Sequence, residues 1–211
     1  TQYLKRNGIC SRVELSRATA LTPASISKTV SMLIECGIVK EVGLISGKKG
    51  RRSIGLSLVE DRYLVIGVKL SRRSFSVGVF DIGGNMYDVF SEAIEEKQEF
   101  GYTMERIKSV IDRYLERFSN VVVIGLAVPG PFQRTEGKIA LMTEMNNWFD
   151  LPLVDEFVNA YSIPVIIEHD ANAGAYAEWW FGAHSTVQKG TLVYFLVGEG
   201  VGAGVLVNGS I

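Results

Sequence analysis

Apolar positions recur at helical spacing twice within the first sixty residues and then give way to alternation. Ser11-Arg-Val-Glu14 reads as a capping box, the Ser11 hydroxyl accepting from a first-turn amide while Glu14 reaches back to the N-cap amide. The helix behind it has Val13, Leu15 and Ala18 as inward positions and ends near Thr19. Thr22 and Pro23 start a second helix as N-cap and first helical residue. Its apolar face is Ile26, Val30, Leu33 and Ile34, and Gly37 stops it. Thr1–Asn7 reads as the tail of an earlier helix. Ile38–Ile45 forms a strand, Ser46–Ser53 a Gly-rich basic turn, and Ile54, Leu56 and Leu58 alternate as a second strand. Two short helices and a hairpin predict a winged helix-turn-helix over residues 1–60.

The remaining pattern is α/β. Tyr63–Leu70, Ser74–Phe80 and Met86–Phe90 read as strands, and Glu92–Phe100 as a charged loop. Thr103–Phe118 reads as a helix with Met104, Ile107, Ile111, Leu115 and Phe118 on one side. Val121–Val128 is a continuous apolar run, the mark of a buried strand. Ile163–Ile167 is a further strand ending at Glu168-His169-Asp170, and a helix follows it. Thr191–Val197 and Val205–Gly209 enclose a Gly-rich hairpin.

Charge separates the two parts. The net charge of −1 conceals a head of ten Lys/Arg against four Asp/Glu over residues 1–60, and an acidic remainder. A basic head that also has a nucleic-acid-binding fold points to DNA. On the second helix the face opposite Ile26 and Val30 carries Ala24, Ser25, Lys28 and Ser31, small or cationic residues that allow close entry into a major groove. Thr22 and Ser25 suit phosphate contact, and Lys48, Lys49, Arg51 and Arg52 would add contacts from the wing. No apolar run is long enough to span a membrane and no secretory pattern opens the chain, so a cytoplasmic protein is expected. Cys10 and Cys36 form no C-x-x-C pair and signal no metal.

Two motifs carry candidate chemistry. Asp81-Ile-Gly-Gly84 resembles a phosphate-cradling loop, but it joins two strands of a hairpin and reads as a turn. Asp170, at the carboxyl end of a strand, stands where α/β folds contact ligands, and it also suits a helix N-cap.

Gly125-Leu-Ala-Val-Pro-Gly-Pro131, Asn147-Trp148, His169-Asp-Ala-Asn172 with Glu178 and Phe181-Gly182, and Gly198–Gly204 together resemble the ROK family of sugar kinases and sugar-responsive repressors. The S-R-x-E-L, T-P-A-S-I-S and G-R-R segments of the head resemble its repressor branch, that of the xylose and N-acetylglucosamine repressors. The resemblance implies an RNase H-like, actin/hexokinase-type fold of two lobes, the first over residues 61–130 and the second beginning at 131, with sugar in the cleft. It implies sugar contacts from Asn147, His169 and Asp170, Asp170 standing where the kinases keep the base that deprotonates the sugar. Family members continue past Ile211, so the second lobe is expected to be incomplete. Their continuation supplies a structural zinc site, and no cofactor is expected within these residues.

Departures separate repressor from kinase. Where the kinases carry D-x-G-G-T, this chain has Lys69-Leu-Ser-Arg-Arg73, and their G-T-G becomes Gly198-Glu199-Gly200. The Mg²⁺-positioning acid is gone, side chains at Ser71 and Arg72 obstruct close backbone approach, and Glu199 repels phosphates. The sequence is therefore expected to encode a sugar-responsive, DNA-binding repressor of carbohydrate-utilisation genes. It would be homo-oligomeric and bind a sugar effector in a non-catalytic sensor. The alternative is an ATP-dependent sugar kinase with a DNA-binding head.

Overall fold

The first sixty residues fold as their pattern of caps dictates. In this computed structural model, which describes residues 1–46, 52–130, 132–133, 135–141, 149–151, 153–182, 190–198 and 200–211, they form α1 (Gln2–Asn7), β1 (Cys10–Ser11), α2 (Arg12–Thr19), α3 (Pro23–Glu35), β2 (Val39–Ser46) and β3 (Arg52–Leu58). The capping box is complete. The Glu14 amide donates to Ser11 Oγ at 3.3 Å, and the Ser11 amide donates to Glu14 Oε2 at 2.8 Å. Thr22 Oγ1 caps α3 by accepting from the Ser25 amide at 3.2 Å, with Pro23 in the first turn.

β1, β3 and β2 form an antiparallel sheet in that order. Leu4, Cys10, Leu15, Ile26, Val30, Val39 and Leu56 make the core beneath it. One expected core position is corrected. Val13 is 54% exposed while Leu15 is buried. Successive helical residues turn by about 100°, so positions 13 and 15 lie about 200° apart and cannot share a face.

Tyr63–Ile211 forms a separate unit. It contains β4 (Leu64–Leu70), β5 (Ser74–Asp81), β6 (Met86–Ala93), α4 (Phe100–Arg117), β7 (Val121–Val128), β8 (Phe132–Gln133), β9 (Lys138–Leu141), β10 (Phe149–Leu151), α5 (Leu153–Val158), β11 (Val165–His169), α6 (Asp170–Phe181), β12 (Thr191–Val197) and β13 (Val201–Val207). The main sheet has the order β11-β7-β4-β5-β6. β4, β5 and β6 form an antiparallel meander, and β7 and β11 run parallel to β4 and β7 respectively. One face is closed by α4, whose Met104, Ile107, Ile111 and Tyr114 share a core with Ile66, Val68, Phe75, Val77 and Ile124. Burying each such aliphatic side chain contributes roughly 1.5–3 kcal/mol.

Three expectations change here. The segment expected as a loop from Glu92 is strand as far as Ala93, because Glu92 pairs with Phe75 and Ala93 with Ser74. A change of lobe after residue 130 does not coincide with a change of sheet. β11 hydrogen-bonds to β7 and belongs with the strands before 130. β8, β9 and β10 form a small antiparallel sheet that the pattern did not announce. The D-x-G-G segment is a turn, as read. Asp81 Oδ1 accepts from the Asn85 amide and Oδ2 from Asn85 Nδ2, each at 2.9 Å, and Gly84 takes φ 86°. That positive φ is strained for any residue with a Cβ.

Burial distinguishes the two thiols. Cys36 is exposed and Cys10 buried, and burial, reinforced by the Glu14 carboxylate, pushes the Cys10 thiol up to about 11. One thiol is therefore expected to react promptly with a disulfide reagent near pH 8 and the other only on unfolding. Equal reactivity of both in the native protein would contradict this packing. Because the folded state resists Cys10 ionisation, its contribution to stability is full below the unfolded thiol's ordinary value of about 8.5 and fades as pH rises through about 11.

Candidate functional site

Parallel strands deliver their carboxyl ends to one edge of a sheet, where loops can surround a ligand. Here β4 ends at Leu70 and β7 at Val128, and β11 ends at His169. Between these ends and the β12–β13 hairpin lies a cavity of about 650 Å³. Lys69, Ser71, Arg72 and Ser74 line it on one side, Pro129 and Gly130 follow β7, and His169 and Asp170 close the β11 side. Leu196–Gly198 and Gly200–Gly202 form the opposite wall.

His169 and Asp170 straddle the junction of β11 and α6. His169 occupies the N-cap position with extended backbone and makes no side-chain cap. Asp170 is the first helical residue, and its Oδ1 accepts from the Ala171 amide at 2.7 Å. It is thus not the N-cap, although its carboxylate still serves the helix terminus. His169 Nε2 lies 3.3 Å from Asp170 Oδ1, with side-chain exposures of 26% and 16%. Glu168 Oε1 steadies the junction, accepting from the His169 amide at 2.9 Å and from Asn172 Nδ2 at 3.0 Å. The imidazole lies close against the loop after β7, and a Cβ on Gly130 would stand 2.5 Å from His169 Nε2. A carboxylate, an imidazole and two cations around one cleft can hydrogen-bond a polyhydroxylated molecule from several sides.

Of the residues expected to contact ligand, the structure brings His169 and Asp170 together in the cleft. Asn147 and Glu199 lie outside the described residues. Lys69, Ser71 and Arg72 were read from sequence only as departures from a kinase loop, yet they line the same cavity. The signal was their position at the end of β4, beside the strand that leads to Gly130.

In the first unit, Thr22 at the N-cap of α3 and Ser25, Lys28 and Ser31 along it are all exposed, whereas Ile26 and Val30 are buried. Thr22 Oγ1 and Ser25 Oγ lie 3.0 Å apart, so both hydroxyls are already oriented by the cap. Arg52 is exposed at the start of β3, whereas Lys48, Lys49 and Arg51 lie outside the described residues. Thr29 and Met32 are also exposed on α3, as is Arg17 in the last turn of α2. The sequence reading passed over these three.

Residues 65–211 match the ROK family. The chain belongs to that family. It is 29% identical to the DNA-binding transcriptional dual regulator NagC of Escherichia coli, covering 100% of this chain and 52% of NagC. It is 29% identical to the xylose repressor of Caldicellulosiruptor bescii, covering 96% and 51% respectively. The chain spans about half the length of the curated relatives it matches. Among solved structures it resembles a ROK family transcriptional regulator described as a homologue of the E. coli Mlc protein, with a TM-score of 0.74 and 25% identity. That match covers 99% of this chain and 53% of the regulator. It also resembles the ROK hexokinase of Thermus thermophilus, with a TM-score of 0.58 and 30% identity over 69% of this chain and 47% of the hexokinase. The kinase-like α/β architecture is therefore established for the body of this ROK protein.

Among the described residues, no group of three His, Cys, Asp or Glu side chains could hold a metal ion. No helix among them is long and apolar enough to cross a membrane.

The packing of His169 on Gly130 generates a test. Gly130→Ala forces the imidazole from its place, so ligand-induced thermal stabilisation is expected to fall at least tenfold in apparent affinity while far-UV circular dichroism is unchanged. Full ligand response in this variant would mean that the position of His169 is irrelevant to the cleft.

Proposed function

We propose that this ROK protein is a sugar-responsive transcriptional repressor of carbohydrate-utilisation genes, acting in the cytoplasm as a homo-oligomer. Thr1–Arg62 serves as a winged helix-turn-helix that holds operator DNA, and the cleft of the second unit serves as the sugar sensor. The observation that carries this reading is the outward row Thr22, Ser25, Lys28 and Ser31 on α3, in a chain whose other unit belongs to the ROK family. Similarity to the DNA-binding transcriptional dual regulator NagC and to a xylose repressor supports it.

In this reading α3 enters the major groove, with Lys28 reaching a base edge or phosphate and Ser25, Ser31 and Thr22 near the backbone. Lys48, Lys49, Arg51 and Arg52 grip the flanking phosphates from the wing. In the cleft, Asp170 and His169 hydrogen-bond sugar hydroxyls, joined by Asn147. Sugar alters DNA affinity only if it binds the DNA-competent and DNA-incompetent states unequally.

The cleft does not transfer phosphate in this reading. Lys69 occupies the place of the acid that positions Mg²⁺ in the kinases, so the Asp170 carboxylate acts as an acceptor for a hydroxyl and not as a base. The resemblance to a ROK hexokinase favours the other reading, an active sugar kinase. Incubating the intact protein with hexoses, ATP and Mg²⁺ separates the two, since the repressor reading expects no hexose-dependent ADP release.

Lys28→Ala and Arg52→Ala are each expected to weaken operator binding and to lower the slope of log affinity against log salt by about 1. An unchanged gel-shift affinity and slope in both would defeat the DNA assignment. Asp170→Asn is expected to leave operator affinity intact and abolish the response to sugar. Retained induction would remove Asp170 from the sensor.

A further inference from the structure

α3 offers a duplex more than hydroxyls and a lysine. Its hydrogen bonds hold to the end, the Cys36 amide donating to the Met32 carbonyl at 3.0 Å, so helical spacing applies throughout. Successive residues turn by about 100°, which puts Ser25, Lys28 and Met32 within about 60° of one another. The buried Ile26 and Val30 lie about 160° round the helix from Lys28. Leu33 and Ile34 pack against the core of the head, whereas Met32 is 56% exposed. A large apolar side chain therefore stands in line with the cation, on the outward face of a helix. The head that carries it has an excess of Lys and Arg over Asp and Glu, which suits a polyanion.

Such a side chain discriminates among base edges by what it lacks. A thioether offers no donor and only a weak acceptor. Against the major-groove edge of guanine, cytosine or adenine it covers polar groups without pairing them, which is unfavourable. Thymine alone presents an apolar group there, its C5 methyl. Met is also unbranched and adapts to the surface it meets.

We infer that Met32 is a specificity-determining residue that packs on the C5 methyl of a thymine in the major groove. The inference rests on the DNA reading of the head and adds a base preference to it. Lys28 holds the duplex from the preceding turn by charge, and Met32 selects thymine over cytosine by contact. Glu35 follows on the same face of α3 and disfavours phosphate there, so the stretch of helix open to the duplex ends with Met32.

Selection from a randomised duplex pool by the intact protein, followed by affinity measurements on the preferred duplex, tests this. Each thymine of that duplex is replaced in turn by 2′-deoxyuridine, which removes the methyl and keeps the base pair. At one thymine per bound head the replacement is expected to weaken binding about fourfold, the worth of one buried methyl. Where cytosine replaces that thymine, methylation at its C5 is expected to recover a similar factor. Met32→Ala is expected to bind the thymine and deoxyuridine duplexes alike. It keeps the wild-type salt slope and thermal midpoint, because an exposed uncharged side chain neutralises no phosphate and fills no core.

Methyl sensitivity of the same size in wild type and Met32→Ala would overturn the inference by placing the contact elsewhere. So would a preferred duplex in which no thymine methyl matters, and such selective binding would leave the DNA reading standing. A pool from which no duplex is preferred would overturn the inference too. If affinity were then also indifferent to salt and to Lys28→Ala, the DNA reading would fall with it.

Discussion

The parallel pairing of β4, β7 and β11 is the constraint on which the rest of the second unit depends. Register places Lys69 opposite Ala127 and Val128 opposite His169, so three chain segments distant in sequence end at one edge. The same register sends Ile66, Val68, Ile124 and Leu126 toward the core under α4, where they are buried. A slip of one residue would exchange the faces of a strand, exposing those aliphatics and burying Lys69. Hydrophobic burial therefore holds the polar cleft in place, although no cleft residue takes part in that core. Removing apolar surface from water supplies the driving force, and the site inherits its geometry.

Much of this was legible because local chemistry settles local structure. The capping box at Ser11, the Thr22-Pro23 start and the D-x-G-G turn each depend on hydrogen bonds within a few residues, and each forms as written. Elements decided by distant partners were less legible. The end of β6 is polar, and it is strand only because β5 pairs with it. β11 reads as a short apolar run in either lobe, and its hydrogen bonds to β7 assign it. For the cleft, His169 and Asp170 stood out as residue types, whereas Lys69 and Arg72 were read only as departures from a kinase loop. A cation at a strand end shows what it lines only when the fold carries it to the same cavity as an imidazole and a carboxylate.

Val13 illustrates the limit of counting apolar residues on a short helix. α2 has eight residues and one buried side chain, Leu15. Little more than two turns give periodicity few repeats from which to choose a face. The caps at Ser11 and Thr22, which need no periodicity, identify the helix ends more reliably than its apolar residues identify its inward side.

The two units also divide the electrostatic work. The head carries an excess of cations and the body an excess of acids, so a long-range field able to attract a polyanion belongs to the head. Within the acidic body, Lys69 and Arg72 line the cleft together with Asp170, so side chains of both signs border one recess. Salt screens exposed charges beyond about 8–10 Å, so these groups act on what touches them and not at long range. Attraction to a long anionic polymer and discrimination among small ligands make opposite demands on a surface. The first wants spread, exposed charge and the second wants a few charges held in a shaped recess. In the repressor reading, separate folding units let each demand be met without compromising the other.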